Sequence, residues 1–414
     1  MSTDGDVRLR AALASIRDAD PPARNAARDR LAAAMTSPGD INPGATHQHP
    51  AGWPRRVAIL AAVAASVVAV VVAVSVHGTT SPRPTGSYQV LDIMSRQQPS
   101  PRNAPQMAYF PPGREIVLFG GQAHSGKSLG DTWVFTRNGW RRLHPASSPP
   151  ARAEGAMAYD PALRELILYG GCASCGGPVY RFLQDTWAFN GTGWTELHSN
   201  RMPDYEPSPT MSWDNLTGEL ELLAPPPGYG ATPPDGNFNA DTSVRLGLWA
   251  WTNTGWVWNG NVTGPPLTIQ APAFVAEPGT AQMLYYVYNP YSGSCPSPIR
   301  HCGADPHGLL FSQTWTWNGR SFTKDHPENA PTSSIVVVSD ARIGRVVAVV
   351  GLRAWLWDGA TWAAQAGLST DFGDDSGSYD PALGDVVVLG TPIRGPLRSV
   401  TWVWDGSSWQ EAVS

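Results

Sequence analysis

Six times along the chain one aromatic residue is followed by a second two positions on and a third seven positions on: Trp133/Phe135/Trp140, Trp187/Phe189/Trp194, Trp249/Trp251/Trp256, Trp315/Trp317/Phe322, Trp355/Trp357/Trp362 and Trp402/Trp404/Trp409. Aromatics make up 10% of the 414 residues, so chance supplies fewer than about one such triplet. A unit repeated in succession is a module that buries its apolar surface only against its neighbours.

Each unit begins with a short apolar run: Ile116 to Phe119, Leu166 to Tyr169, Leu220 to Leu223, Met283 to Tyr288, Val346 to Val350 and Val386 to Leu389. These runs read as buried strands. The aromatic pair comes next, and side chains alternate along a strand, so its two rings share one face. Asn190-Gly191, Asn318-Gly319, Asp358-Gly359 and Asp405-Gly406 then predict hairpin turns, and the third aromatic starts an antiparallel return strand with one wet side. Tyr159-Asp160-Pro161 and Tyr379-Asp380-Pro381 predict an earlier hairpin before the apolar run, with proline presetting the turn. The unit is therefore a four-stranded antiparallel sheet. Sheets of this size, spaced roughly 40 to 66 residues apart, fit the blades of an all-β propeller. There each large ring fills the wedge between adjacent blades, contributing about 1.5 to 3 kcal/mol or more.

The first two units resemble the kelch family of propellers. They carry a glycine pair after the apolar strand (Gly120-Gly121, Gly170-Gly171), an Asp-Thr pair (Asp131-Thr132, Asp185-Thr186) and the later tryptophan. The pair shrinks to Gly351 or Gly390 further on and becomes Ala224-Pro225 in the third unit. The resemblance implies a kelch-like propeller over 106–414, of six blades, with Tyr88 to Ile93 as an extra edge or closing strand.

Val57 to Val76 is an uncharged run of twenty residues, long enough at about 1.5 Å per residue to cross a hydrocarbon core of about 30 Å. Arg55 and Arg56 precede it, which places the N-terminus in the cytoplasm and the propeller outside the cell membrane of a single-pass protein. The expected organisation is an amphipathic helical arm (1–36), a linker (37–56), the transmembrane helix (57–76), a Pro/Ser/Gln-rich stalk (77–105) and the propeller. In the arm, Leu9, Leu13 and Ile16 share a helical face, and Asp20-Pro21 opens a second helix. Helices this short need a partner. This arrangement resembles bacterial one-pass membrane proteins that report to sigma factors, which implies a cytoplasmic protein partner for the arm. The zinc-binding His/Cys signature of one such class is absent, because the arm contains no cysteine.

The cysteines Cys172, Cys175, Cys295 and Cys302 all follow the expected span and pair by proximity as two local disulfides, as suits an oxidising exterior, with a zinc site shared by the two pairs and a redox role for Cys172-Ala173-Ser174-Cys175 as the competing readings. A net charge of −5 without lysine clusters excludes nucleic acid as an expected partner. Asp235, Asn237, Asn239 and Asp241 place oxygens at alternate positions like half a calcium loop. Ala240 stands where the turn glycine belongs and Leu246 where a glutamate would close the site, so an ordinary turn loop is the competing reading.

Long loops at 122–130, 172–184, 224–247 and 289–313 exceed what blade connection requires, and long loops on rigid scaffolds carry recognition. Tyr180, Tyr229, Phe238, Tyr288 and Tyr291 in or beside them are candidates to stack on a sugar or anchor a protein contact. No hydrolase elbow, zinc-protease helix or other nucleophile stands out, so neither catalysis nor a cofactor is expected. The chain reads as a membrane-anchored propeller that binds a protein or cell-envelope glycan, with an envelope enzyme of glycan-acting or oxidase type and a passive surface scaffold as the alternatives.

Overall fold

The computed structural model describes residues 98–412 except 176–180, 204–208, 226–245, 266–271, 290–310, 332–335, 368–371, 393–396 and the single positions 253, 281, 328, 352 and 366. The arm, the 57–76 run, the stalk to residue 97 and the Tyr88 to Ile93 strand lie outside these residues. Among the described residues no helix is long and apolar enough to cross a membrane.

Six four-stranded antiparallel sheets follow one another with no strand exchanged between them, and two short two-stranded sheets, Arg102–Asn103 with Gln122–Ala123 and Cys172–Ser174 with Arg181–Phe182, lie at blades one and two. Their first strands are Gln106–Phe110, Ala156–Asp160, Thr210–Asp214, Ala273–Ala276, Val336–Asp340 and Phe372–Asp380. The second strands are the apolar runs, now Glu115–Phe119, Glu165–Tyr169, Glu219–Ala224, Met283–Asn289, Arg345–Val350 and Asp385–Pro392. The third strands carry the aromatic pairs (Thr132–Thr136, Thr186–Phe189, Leu246–Thr252, Phe311–Trp317, Arg353–Trp357 and Val400–Trp404). The third aromatic starts or nearly starts each fourth strand (Gly139–Leu143, Trp194–Leu197, Gly255–Val262, Phe322–Asp325, Trp362–Ala364 and Trp409–Ala412). Each first strand lies beside that of the next sheet, and the sixth lies beside the first, so the sheets form a closed six-bladed β-propeller.

The core is distributed among the wedges between blades. Blades five and six share a cluster around Val347, Val386 and Trp404. Blades two and three share one around Ile167, Leu222 and Trp249. Blades six and one close the ring with Ile116, Phe135, Val387 and Val403. Trp249, Trp317, Trp357, Trp362 and Trp404 are fully buried, which is the wedge-filling role their repetition predicts.

A hydrogen bond adds direction to this packing. The third-aromatic tryptophan of one blade donates its indole N–H to the threonine that precedes the first aromatic of the blade before: Trp194 to Thr132 at 3.0 Å, Trp256 to Thr186 at 2.9 Å, and Trp362 to Thr314 at 2.9 Å. Where the threonine position holds Leu248, the next blade has Phe322 instead of a tryptophan, and both belong to one apolar cluster.

The Asn-Gly and Asp-Gly hairpins form, with four-residue loops. Asn190 and Gly193 close the loop backbone to backbone at 3.3 Å, and the Asn190 side-chain oxygen accepts the amides of Thr192 and Gly193. Asp358 and Asp405 do the same. The side-chain oxygen substitutes for the turn bond a two-residue loop would make, and the glycine supplies the positive φ, 97° at Gly191.

Candidate functional site at the central channel

The repeated Gly-Gly, Asp-Thr and Trp residues of blades one and two converge on one structural knot. Arg102 and Arg152, at 3% and 0% exposure, each grip an aspartate with both terminal nitrogens: Arg102 holds Asp131 at 2.6 and 3.0 Å, and Arg152 holds Asp185 at 2.7 and 2.7 Å. The same guanidinium donates to the first glycine carbonyl of the pair, Gly120 or Gly170, at 2.9 Å. The aspartate also accepts the indole N–H of Trp133 or Trp187 at 2.7 Å. Burial alone would raise the Asp131 and Asp185 carboxyls, but the hydrogen bonds and charge of their arginines outweigh it and hold both below the usual carboxylate range. The glycine pair is needed because blade two passes so close: a Cβ on Gly120 would collide with the Arg152 carbonyl oxygen, and one on Gly171 would stand 2.6 Å from that of Ala153. This knot fixes the loops between second and third strands, and with them one mouth of the channel.

The six first strands surround a cavity of about 720 Å³ along the ring axis. Each is the edge strand of its sheet, and this architecture keeps such edges short and protected. Tyr109, Tyr159, Trp213 and Tyr379 stand near the ends of their strands, and Ser212, Ser339, Ser376 and Ser378 supply hydroxyls. Burial, and then the neighbouring Asp340 carboxylate of blade five, raise the Tyr379 phenol well above its ordinary value. Burial and Asp380 likewise raise Tyr109.

Among the described residues one carboxyl lines the cavity, Glu154, which precedes the first strand of blade two and stands at the same mouth as the loops between second and third strands. Its φ of 60° is left-handed, a conformation rare for a residue with a Cβ. Its amide donates to the Ala104 carbonyl at 3.1 Å. Burial pushes its carboxyl up to about 7. Beside it lies the disulfide Cys172–Cys175, with Cα atoms 5.6 Å apart, in the loop between the second and third strands of blade two. A two-residue ladder between Ala153 and Cys172, at 2.8 and 3.0 Å, ties the disulfide loop to the strand lead-in that carries Glu154.

The first of the two expected disulfides is therefore present. Cys295 and Cys302 lie outside the described residues, as do Tyr180, Tyr229, Phe238, Tyr291 and the Asp235, Asn237, Asn239, Asp241 series. Tyr288 falls in the second strand of blade four, its backbone paired with Ser312. The channel residues were not singled out by sequence. The signal that marks two of them is the Tyr-Asp-Pro hairpin, repeated at Tyr159 and Tyr379 and present as Tyr109-Phe110-Pro111 in blade one.

No family model matches the chain. No curated protein sequence matches it either. Among solved structures, the one described as YjhT aligns at a TM-score of 0.51 and 12% identity, over 76% of this chain and 99% of that one. A structure of SapL1 lectin in complex with alpha methyl fucoside aligns at 0.45 and 12%, over 75% of this chain and 95% of that one. A fungal alcohol oxidase of the AA5 family in complex with copper aligns at 0.43 and 13%, over 74% of this chain and 62% of that one. At 12% identity the likeness to the first of these is one of fold alone.

Proposed function

We propose that the chain is a binding protein that receives an uncharged, hydroxyl-rich ligand, such as the end of a cell-envelope glycan, in the central channel of its propeller. The carrying observation is the lining of that cavity: aromatic faces, serine hydroxyls and strand-edge backbone, with Glu154 as its one carboxyl among the described residues. Aromatic faces stack on the apolar faces of sugar rings, and hydroxyls and backbone groups satisfy the ring's own hydroxyls. An anionic ligand would find no arginine or lysine among the described residues of this lining.

The sequence supports the setting. The 57–76 run anchors the chain in the membrane once, the kelch-like propeller faces the exterior, and the 1–36 arm offers an apolar helical face to a cytoplasmic protein such as a sigma factor.

The test is calorimetric titration of the purified chain with neutral oligosaccharides released from bacterial cell envelope, alongside the M157W variant, whose larger side chain crowds the channel lining. Saturable binding lost in M157W supports the reading. Binding of equal strength in M157W would remove the channel from recognition.

A further inference from the structure

The Sγ atoms of Cys172 and Cys175 and a carboxylate oxygen of Glu154 all lie within 4.8 Å of one another. Two thiolates and one carboxylate are a donor set for a borderline-soft cation. We propose that reduction of the Cys172–Cys175 disulfide converts this corner into a site for one zinc ion, held by Cys172, Cys175 and Glu154, with its fourth position open to the central channel.

The geometry for this exists before any metal arrives. Zinc takes sulfur at about 2.3 Å and carboxylate oxygen at about 2.0 to 2.2 Å, so tetrahedral ligands stand about 3.5 to 3.8 Å apart. The three donor atoms already fall within about one further ångström of that spacing, and opening the sulfur–sulfur bond lets the two sulfurs separate toward it. The backbone holds the donors in register. Ala153 and Cys172 exchange both ladder hydrogen bonds, and Gln122 Nε2 of blade one donates to the Cys175 carbonyl at 2.6 Å. Glu154 keeps its left-handed backbone while its carboxyl lines the channel. The reduced form is also accommodated: the Cys175 sulfur lies 3.2 Å from the Cys172 carbonyl, an acceptor for its thiol hydrogen. Water from the channel fills the fourth position, the arrangement that distinguishes reactive zinc sites from closed structural ones.

The chemistry balances with a dithiol as the reductant. The dithiol gives two electrons and two protons to the protein disulfide and becomes a disulfide itself, leaving two cysteine thiols. Zinc then displaces both thiol protons to solvent, and the Glu154 proton as well when that group is protonated. Reoxidation expels the metal, since a disulfide has no thiolate to offer.

The test uses the full-length chain in detergent, carrying C295S/C302S so that thiolate signals come from the pair in question. The protein is reduced with dithiothreitol, freed of it without air, and titrated with cobalt(II) and then zinc. The expected result is a thiolate-to-cobalt charge-transfer absorption that saturates at about one metal per chain and is bleached by zinc. It should be absent from the oxidised chain and from the further C172S/C175S variant. E154Q should keep the band and bind about tenfold or more weakly, since loss of a direct ligand costs at least as much as loss of a ligand's supporting partner. Near-ultraviolet circular dichroism of the indoles checks that the reduced propeller is intact. No band in the reduced chain, an equal band in C172S/C175S, equal affinity in E154Q, or loss of the indole signal on reduction would each overturn the proposal.

Discussion

Trp140 Nε1 donates a 2.8 Å hydrogen bond to Thr401 Oγ1, 261 positions later in the sequence, and this bond joins the sixth blade to the first. It repeats the latch found between blades two and one, three and two, and five and four. The ring thus closes with the same contact that links its interior members. At the remaining tryptophan junction, blade six to blade five, Ala354 stands where the threonine would be, and the buried Trp409 indole N–H finds no acceptor among the described residues.

The latch threonines make a graded prediction. T132V preserves volume but leaves the buried Trp194 N–H without its partner, at an expected cost of about 1 to 3 kcal/mol in urea unfolding. T401V acts on the half-buried Trp140, so its cost falls at the lower end of that range. A354S adds one hydroxyl near Trp409 and should stabilise by about 1 kcal/mol. Destabilisation by A354S would show that the indole is directed elsewhere.

The arginine knot predicts strong non-additivity. R152M leaves Asp185 without its partner, and D185L leaves a fully buried guanidinium charge, so each should cost about 3 to 5 kcal/mol. The double variant R152M/D185L removes both charges and should be less destabilised than the sum, with a coupling of about 2 kcal/mol or more. Simple additivity in the denaturation cycle would mean that the charges do not depend on each other.

Acid should unfold the molecule through the same pair of knots. Asp131 and Asp185 have folded-state values below their unfolded ones, because their arginines favour the carboxylate. Their contribution is therefore complete above the ordinary aspartate value of about 3.9 and is lost as pH falls through the lowered folded values. Asp340 and Asp380, raised by burial, act in the opposite sense over a higher range, losing stability as pH rises through about 4 and beyond. Melting curves between pH 2 and 6, a range set by these values, should show the acid loss of stability flattened in D131N/D185N. An unchanged acid limb would assign it to other carboxylates.

Glycines at similar φ should differ by what surrounds them. Gly139 has a φ of 90° with open space where a Cβ would point, so G139A should cost only the left-handed penalty of about 1 to 2 kcal/mol. Gly120, at 65°, meets the Arg152 carbonyl, so G120A adds a backbone collision between blades one and two. The predicted order in thermal melts is wild type, G139A, then G120A well below. Equal melting of the two variants would show that the junction yields without cost.

Much of the scaffold was legible because it is written six times. The apolar runs, the aromatic pairs and the return strands are set by local periodicity, and the six triplets fixed the blade count. The latch was half visible: Asp-Thr at 131–132 and 185–186 was read as a motif, yet the threonine's partner lies on another blade. Pairing Leu248 with Phe322 while threonines pair with tryptophans is a single-chain signal of that contact. The hairpin after Asn190 was legible from Asn-Gly, but the four-residue length of its loop, closed by the Asn190 side-chain oxygen, was not. Glu154 gave no signal at all. Its place at the channel mouth, its burial and its nearness to Cys172 arise only when blades one and two are assembled.

The most direct test of the account is photocrosslinking of the chain with a neutral envelope oligosaccharide carrying a diazirine, followed by peptide mapping. Channel binding predicts labels on the first strands, on peptides containing Tyr109, Tyr159 or Trp213, and their loss in M157W. Labels confined to 224–247 and 289–313, unchanged in M157W, would place recognition on the loops and contradict the channel.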